Sequence, residues 1–448
     1  MDKISDDTND ELGDHVDKKS YKLSFFSILK NLGPGLVTGA ADDDPSGIAT
    51  YSQAGARFGL GLLWMAIFQY PLMTAIQEMC ARIGLVTGKG LASVIKKKYS
   101  NKVVLPLASL LLIANTINIG ADIGAMGAAA RLIFPDLPFV LTTLLFTTFV
   151  LVVQIYVPYK RYVKTLKYLT ISLFAYVVTA FIVGGNFTEI AIASIIPHIE
   201  FTSEFAMLFV AMLGTTISPY LFFWQASEEV EEEVDKKRIK EINVGTPHST
   251  KKEIKLMRAD VAIGMFFSQL IMWSIIVTTA GSLHNHGITD VQTSEQVAKA
   301  LEPAVESFPY SGQISKIIFA LGIVGTGLLA VPVLAGSSAY ALSDAFGWKQ
   351  GLSKKFKQAR AFYLIIAAST TVGLWINFAN IDPIKALVYA AVINGVTAVP
   401  ILFTILKIAN DRKVLGDKVN GRLSNIIGVI TVVIMAVSAV IMFLTFVH

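Results

Sequence analysis

Three consecutive aspartates, Asp42, Asp43 and Asp44, lie in an otherwise apolar stretch near the start of the chain, directly before Pro45. Proline lacks a backbone donor and disfavours helix at the residue before it, so this sequence predicts a break in a helix. An ionised carboxylate in apolar surroundings is costly unless water or a cation compensates its charge. The sequence therefore predicts a cation site with Asp44 as ligand. Asp43 is a second candidate ligand, while a water-filled vestibule is the alternative for Asp42 and Asp43.

A second apolar stretch, FVAMLGTTISPYLFFWQAS, contains Pro219, which follows Gly214, Thr215, Thr216 and Ser218. A break here leaves backbone carbonyls at the end of a half-helix without partners, and this end carries the negative pole of the helix dipole. We expect these carbonyls, with the hydroxyls of Thr215 and Ser218, to complete the cation site around Asp44. The alternative is that both prolines make ordinary kinks, which membrane helices tolerate.

The composition indicates what kind of helices these are. The chain has 448 residues, of which 53% are hydrophobic and only 16% are charged, against about 25% in soluble domains. A helix needs about 20 apolar residues to cross a bilayer. Eleven such runs occur: 31–54, 59–84, 104–132, 138–156, 168–186, 205–227, 259–281, 314–343, 360–378, 383–406 and 424–446. The sequence predicts an all-α polytopic membrane protein, not an enzyme, whose first partner is the lipid bilayer.

The charges of the connections predict how the chain is oriented. If every run crosses, 27 Lys and Arg residues fall on one side, in the segments 88–103, 156–167, 228–258, 349–360 and 407–422, and only 5 on the other. The positive-inside rule then places the N-terminus in the cytoplasm and His448 outside. The net charge of +5 is therefore explained by membrane topology and not by nucleic-acid binding.

The two broken runs are the first and the sixth, five helices apart. Interrupted helices in matching positions are typical of LeuT-type transporters built from inverted repeats. We expect one repeat of five helices over 25–186, a second over 205–406 and an appended helix over 424–446. Residues 1–24 are polar and are expected to form a disordered cytoplasmic tail. Residues 228–258 are expected to form a charged cytoplasmic loop, whose acidic start at 228–235 is either a solvated helix end or a cation-attracting vestibule.

Three segments resemble the opening of the NRAMP metal transporters: LGPGLVTGAADDDPSGIAT, AGARFGLGLLWMAIFQYPLM and QEMCARIGLVTGKGLASV. The family's Asp-Pro-Gly-Asn motif matches Asp44, Pro45, Ser46 and Gly47, and its Met-Pro-His motif matches Ser218, Pro219 and Tyr220. The resemblance implies a bacterial inner-membrane transporter of a divalent cation, with Asp44 as its metal ligand and no resident cofactor. It also implies that Gly47 replaces an asparagine ligand, Ser218 a methionine ligand and Thr215 an alanine.

These replacements bear on the choice of ion. A thioether favours transition metals, whereas Ser218 offers only oxygen. Gly47 and Ser218 are smaller than the residues they replace, so we expect a wider, all-oxygen site. Mg²⁺ binds through one or two carboxylates and keeps several waters. The pattern resembles the NRAMP-related magnesium transporters, and we expect import of partly hydrated Mg²⁺, with Mn²⁺ as a possible second ion.

We expect transport without proton coupling. None of the six histidines lies inside a predicted crossing, and Tyr220 and Gln225 match the family's histidines on the sixth helix. Asp122 is either a remnant of a proton path or a structural residue, and Asn394 could add an oxygen. Two alternatives stay open: a proton-coupled Mn²⁺/Fe²⁺ importer, and an organic-solute transporter of the same fold. The sequence leaves the oligomeric state open, and a monomer is compatible with it.

Overall fold

The structure is a computed structural model that describes residues 33–157, 169–379 and 381–447. Over these ranges the chain is helical, as predicted, and forms no β-strand. The helices are α1 Pro34–Asp42, α2 Pro45–Phe58, α3 Met65–Thr87, α4 Leu91–Tyr99, α5 Asn101–Ile133, α6 Phe139–Tyr156, α7 Phe174–Val183, α8 Phe187–Ile195, α9 Ser203–Thr216, α10 Pro219–Asp235, α11 Lys251–Ser282, α12 Ser294–Lys299, α13 Ser311–Phe346, α14 Arg360–Ile376, α15 Pro383–Ala409, α16 Arg412–Leu415 and α17 Arg422–Val447.

Every predicted run coincides with helix, although the helices differ in how readily they would span a bilayer. By length and composition, seven described spans qualify: α5, α6, the broken pair α9–α10, α11, α13, α15 and α17. An eighth qualifies if α7 and α8, bent by 119° relative to each other, count as one. The helices α1 and α2 are too short because of the break between them, α3 carries Gln69, Gln77, Glu78 and Arg82, and α14 has only 17 residues. These four make up the first, second and ninth predicted runs.

Helix occupies more of the segment 228–258 than the sequence predicts. The α10 helix continues to Asp235 and α11 begins at Lys251, so only 236–250 connects them. A capping box at Thr250 and Glu253 begins α11, with Thr250 accepting from the Glu253 backbone and Glu253 accepting from the Thr250 backbone. The predicted tail 1–24 and the basic connection 158–167 lie outside the described residues.

The connections sort onto two ends of the bundle as the charge pattern predicts. The segments rich in Lys and Arg contact one another: Lys96 Nζ donates to the Ala345 carbonyl at 2.7 Å, and Lys98 pairs with Asp411 at 2.7 Å. Lys418 Nζ donates to the Ser249 carbonyl at 2.6 Å. We call this the basic end. The alternate connections meet at the opposite end through the contacts Gln53–Asp290, Arg57–Glu204 and Lys316–Glu295.

The first half-helix is fixed by close packing against α11. Asp260 on α11 accepts from the Gly33 and Gly35 amides at 2.9 and 2.7 Å, which satisfies exposed donors at the start of α1. A Cβ placed on Gly39 would lie 2.3 Å from the Gly264 carbonyl oxygen. The two backbones therefore touch, as small residues allow in membrane helices. This contact fixes the position of α1 against α11.

We expect Gly264→Ala to separate α1 from α11, because its Cβ would lie 2.2 Å from the Gly35 carbonyl oxygen. Overpacking of this kind costs about 2 kcal/mol. The melting temperature of the purified chain should fall. The matched control is Gly421→Ala, since nothing lies within 4 Å of its Cβ. Equal melting temperatures for the two variants would contradict the close contact.

Candidate cation site at the two helix breaks

Asp44 stands in the first break and is held at both carboxylate oxygens. The backbone leaves helical geometry here, with φ −68° and ψ 170°, and α2 begins at Pro45. Asp44 Oδ1 accepts from the Gly47 amide at 2.7 Å, which makes Asp44 the N-cap of α2. Asp44 Oδ2 accepts from Asn118 Nδ2 on α5 at 3.0 Å. The carboxylate is 1% exposed and its orientation is set from two directions.

Asn118 is absent from the residues that the sequence singled out. A signal for it exists, because Asn118 and Asp122 lie four residues apart and share one face of α5. Asn115 lies on the neighbouring turn, but its amide donates to Ser337, Ser338 and the Leu334 carbonyl on α13. The polar face of α5 thus serves both helix packing and the site.

The second break lies between Thr216 at the end of α9 and Pro219 at the start of α10. Ser218 is extended, with φ −85° and ψ 135°. Its hydroxyl donates back to the Gly214 and Thr215 carbonyls, the latter at 2.8 Å. Two carbonyls that the sequence predicts to be free are therefore occupied by Ser218, while the lone pairs of its own oxygen remain available.

The two breaks touch at Gly47. A Cβ placed there would lie 3.2 Å from Thr215 Oγ1, 3.3 Å from the Asp42 carbonyl oxygen and 3.3 Å from Tyr51 Cε2. The space of a side chain at position 47 is thus already taken, and the expected widening is not found at this point. Tyr220 adds a second link, because its hydroxyl donates to the Ala41 carbonyl at 3.0 Å.

Asp42 and Asp43 face α11. The Ser268 hydroxyl contacts Asp42 Oδ2 and lies 3.4 Å from Asp43 Oδ1. The two aspartates are 0% and 4% exposed, which argues against an open vestibule around them. Both lie beside the break, and Asp42 Oδ1 has no hydrogen-bond partner among the described residues. Ser268 itself was not predicted, since a lone serine in an apolar run carries no signal.

Asp122 lies next to the site on α5, near the charge of Asp44 and the Ser46 amide. It is 0% exposed, and neither of its oxygens makes a hydrogen bond of normal geometry to a described residue. For the structural alternative, in which Asp122 is hydrogen-bonded among small residues, the structure offers the approach of the Ser46 amide. Burial of a carboxylate that lacks well-formed hydrogen bonds is costly, so Asp122 is a candidate for a functional group beside the break.

Asn394 on α15 is a second buried polar group without well-formed hydrogen bonds to described residues. Its side chain is 0% exposed, and neither its oxygen nor its nitrogen has a partner among the described residues. The following residue, Gly395, packs against α9, where a Cβ on Gly214 would lie 2.3 Å from the Gly395 amide nitrogen. Asn394 thus lies beside the second break.

The acidic run 228–235 differs from a solvated helix end. Glu229, Glu231 and Glu233 are buried, and each has a partner. Glu229 accepts from Gln225 at 3.0 Å, Glu231 from the Tyr340 hydroxyl at 2.8 Å, and Glu233 from Arg238 at 3.2 Å. Of these contacts, that of Glu231 joins α10 to α13, whereas those of Glu229 and Glu233 lie within α10 or link it to the connection that follows.

The donor set has a defined chemistry. Within the described ranges, no group of three or more His, Cys, Asp or Glu side chains is arranged to hold a metal ion. Around the breaks the available groups are carboxylate, hydroxyl, amide and carbonyl oxygens. Such a donor set suits a hard cation, because hard cations prefer oxygen ligands.

Two broken helices that meet inside a helical bundle define a transporter of the LeuT type. Solved structures share this fold. The manganese transporter of Eremococcus coleocola, in complex with an aromatic bis-isothiourea substituted compound, is 16% identical with a TM-score of 0.70 over 93% of this chain and 86% of that chain. MhsT in complex with L-phenylalanine is 10% identical with a TM-score of 0.62 over 93% and 98%.

The sequence comparison is more specific. The Nramp family, described as natural resistance-associated macrophage protein-like, matches residues 35–445. Relatives include the divalent metal cation transporter MntH of Pectobacterium carotovorum, 24% identical over 94% of this chain and 96% of the relative. That of Klebsiella pneumoniae is 26% identical over 94% and 95%. The chain belongs to the Nramp family and is a multi-pass membrane transporter.

Asp44 both caps the start of α2 and carries a negative charge, and we expect Asp44→Ala and Asp44→Asn to separate these two roles. Asparagine caps a helix about as well as aspartate, whereas loss of the cap costs about 1 kcal/mol. The melting temperature should fall for Asp44→Ala and stay near that of the wild type for Asp44→Asn. Equal losses for both variants would show that the charge of Asp44, and not its cap, stabilises the break.

Proposed function

We propose that this protein transports divalent metal cations, that its main cargo is partly hydrated Mg²⁺, and that transport is not coupled to protons. The observation that carries the proposal is the oriented carboxylate of Asp44 at two contacting helix breaks. Curated relatives over nearly the whole chain bear the name divalent metal cation transporter. The proposed ligands are Asp44, the oxygens of Thr215 and Ser218, and Asp43, with Gly47 leaving the backbone close to the ion.

The preference for Mg²⁺ is supported by the donor atoms. Position 218 offers a hydroxyl instead of a thioether, so the soft ligand that selects transition metals is missing there. The breaks offer one oriented carboxylate and several neutral oxygens, and Mg²⁺ in proteins is often bound through one or two carboxylates and its own waters. Asp122 and Asn394 are suited to bind those waters, because their polar atoms have no partner among the described residues. Mn²⁺ also accepts oxygen ligands and is proposed as a second cargo.

The absence of proton coupling is supported by the placement of the histidines. His198, His284 and His286 belong to the connections at the end opposite the basic end, and His248 belongs to the segment 236–250. His15 and His448 lie outside the described residues. The membrane potential alone is sufficient to drive import, because a divalent ion gains about 4.6 kcal/mol at 100 mV. Asp122 is then proposed to add negative charge to the site.

The proposed direction and cycle follow from topology. With the basic end in the cytoplasm, the N-terminus is cytoplasmic and His448 lies outside. The two five-helix repeats rock about the ion and expose it alternately to either side. A bacterial inner membrane is the proposed location, and the bilayer the proposed surrounding.

We expect Ser218→Met to weaken Mg²⁺ binding by about tenfold, or 1.4 kcal/mol, because it replaces an oxygen with a thioether. Ser218→Leu is the control of similar size without sulfur. Both variants should lose Mg²⁺, but Ser218→Met should retain more Mn²⁺ binding. Calorimetry with each ion measures this, with Asp44→Asn as the reference without a charged ligand. Wild-type Mg²⁺ affinity in Ser218→Met would favour a proton-coupled Mn²⁺/Fe²⁺ importer instead.

We expect Mg²⁺ uptake into proteoliposomes to leave the internal pH unchanged, since no proton accompanies the ion. A pH-sensitive dye inside the vesicles and a Mg²⁺ indicator measure both in one experiment. Asp122→Asn should lower the affinity for Mg²⁺ by removing a nearby charge, while the pH stays constant. Internal acidification that accompanies uptake and disappears in Asp122→Asn would contradict the proposal and assign a proton role to Asp122.

A further inference from the structure

A cavity of about 590 Å³ lies at the basic end, away from the helix breaks. Its walls come from four parts of the chain: α4 with Lys89 shortly before it, the segment 241–244 between α10 and α11, the end of α13 with residues 347–350, and Lys354. Five lysines line it: Lys89, Lys96, Lys97, Lys349 and Lys354. The only carboxylates in its lining are Glu241 and Asp344, so the cavity carries an excess of positive charge.

Both carboxylates are already engaged. Asp344 is 4% exposed and accepts from Asn243 at 2.7 Å, from Gln350 at 2.6 Å and from the Ser93 amide at 3.2 Å. Glu241 pairs with Lys354 at 3.1 Å. The buried contacts of Asp344 therefore help to build the wall, and neither carboxylate forms an ion pair with Lys89, Lys97 or Lys349.

Three of those lysines are available to a ligand. Across the described part of the chain, the ammonium groups of Lys89, Lys97 and Lys349 form no ion pair with a carboxylate. Lys89 and Lys97 also line a second cavity of about 450 Å³ on the other side of α4. There Asp411 is paired with Lys98, whose hydrogen bond holds the pKa of Asp411 below its usual value. Asp411 thus compensates Lys98 and leaves Lys97 uncompensated.

An aromatic surface borders the first cavity. Trp348 lies in the lining and stacks on Phe346 with ring centroids 4.6 Å apart and an angle of 15° between the planes. The two side chains are 43% and 51% exposed. A cluster of free ammonium groups beside an exposed aromatic face suits a ligand with a phosphate group and an apolar or planar portion, because ammonium groups bind phosphate as point charges.

We propose that the cavity formed by Lys89, Lys97 and Lys349 binds a phosphate-bearing anion. Two sources share this chemistry: the headgroup of an anionic phospholipid and a soluble nucleoside polyphosphate. On the proposed orientation the cavity faces the cytoplasm, where both occur. The site is separate from the cation site, and binding there does not depend on which ion the protein carries.

Such a ligand would link segments that belong to different repeats. Residue 89 precedes α4 in the first predicted repeat, whereas 241–244 lie in the connection between α10 and α11, and 347–350 follow α13, in the second predicted repeat. A bound phosphate that contacts Lys97 and Lys349 joins the repeats at this end. This consequence rests on the proposed function: if transport requires the repeats to separate here, the bound anion slows it.

The test compares wild type, Lys97→Gln/Lys349→Gln and the control Lys252→Gln/Lys255→Gln, whose lysines are exposed on α11 outside both cavities. One arm titrates the purified full chain with ATP in EDTA and follows binding by thermophoresis. The other reconstitutes it in nanodiscs of phosphatidylcholine with or without phosphatidylglycerol and counts retained phosphatidylglycerol by native mass spectrometry. Loss of two lysines should weaken binding about thirtyfold, at between about fivefold and sixfold per charge.

The expected result is binding in at least one arm, which identifies the source. This binding should weaken in Lys97→Gln/Lys349→Gln, stay within twofold of wild type in the control, and fall as salt is raised. Equal binding by wild type and Lys97→Gln/Lys349→Gln, or none by wild type in either arm, would overturn the proposal. Calorimetry with Mg²⁺ on the same variants, in buffer without EDTA or ATP, keeps the two proposals apart: Lys97→Gln/Lys349→Gln should bind Mg²⁺ as wild type does, whatever the outcome for phosphate.

Discussion

The Asp44 carboxylate at a broken helix is the constraint on which the rest of the structure depends. A charge there is tolerable only if donors hold it and a cation or water compensates it. The Gly47 amide and the Asn118 amide hold its two oxygens. The first of these bonds also begins α2, so one side chain both orients a charge and restarts the helix. The break therefore has a fixed geometry.

Close backbone contacts bring the rest of the bundle to this point. Gly39 and Gly264 let α1 touch α11, and Gly214 and Gly395 let α9 touch α15. Because larger side chains would separate these helices, the two breaks can meet only if small residues occupy these contact positions. Gly47 completes the arrangement by admitting Thr215 next to the first break. Packing by small residues is the usual means of association in membrane helices, where lipid is as apolar as the helices themselves.

The charged residues serve a different purpose at the basic end. Glu231, Glu233 and Asp344 are buried and bonded there, and they fasten the ends of α10 and α13 to neighbouring segments. Carboxylates near the breaks are also buried, but several of their oxygens lack partners among the described residues. The unsatisfied oxygens belong to Asp42 and Asp122, and they support the proposal that these carboxylates, beside the oriented Asp44, bind a cation or its waters.

The sequence by itself determined the helical class, the apolar runs, the two breaks and the sorting of the basic connections, because proline, hydropathy and charge act over a few neighbouring residues. It also indicated Asp44, whose chemistry is local. Only the tertiary structure decided that Asn118 and Ser268 face the aspartates and that Thr215 crowds the position of Gly47. These depend on which helix faces meet, often across more than seventy positions of the chain, and no local pattern encodes that.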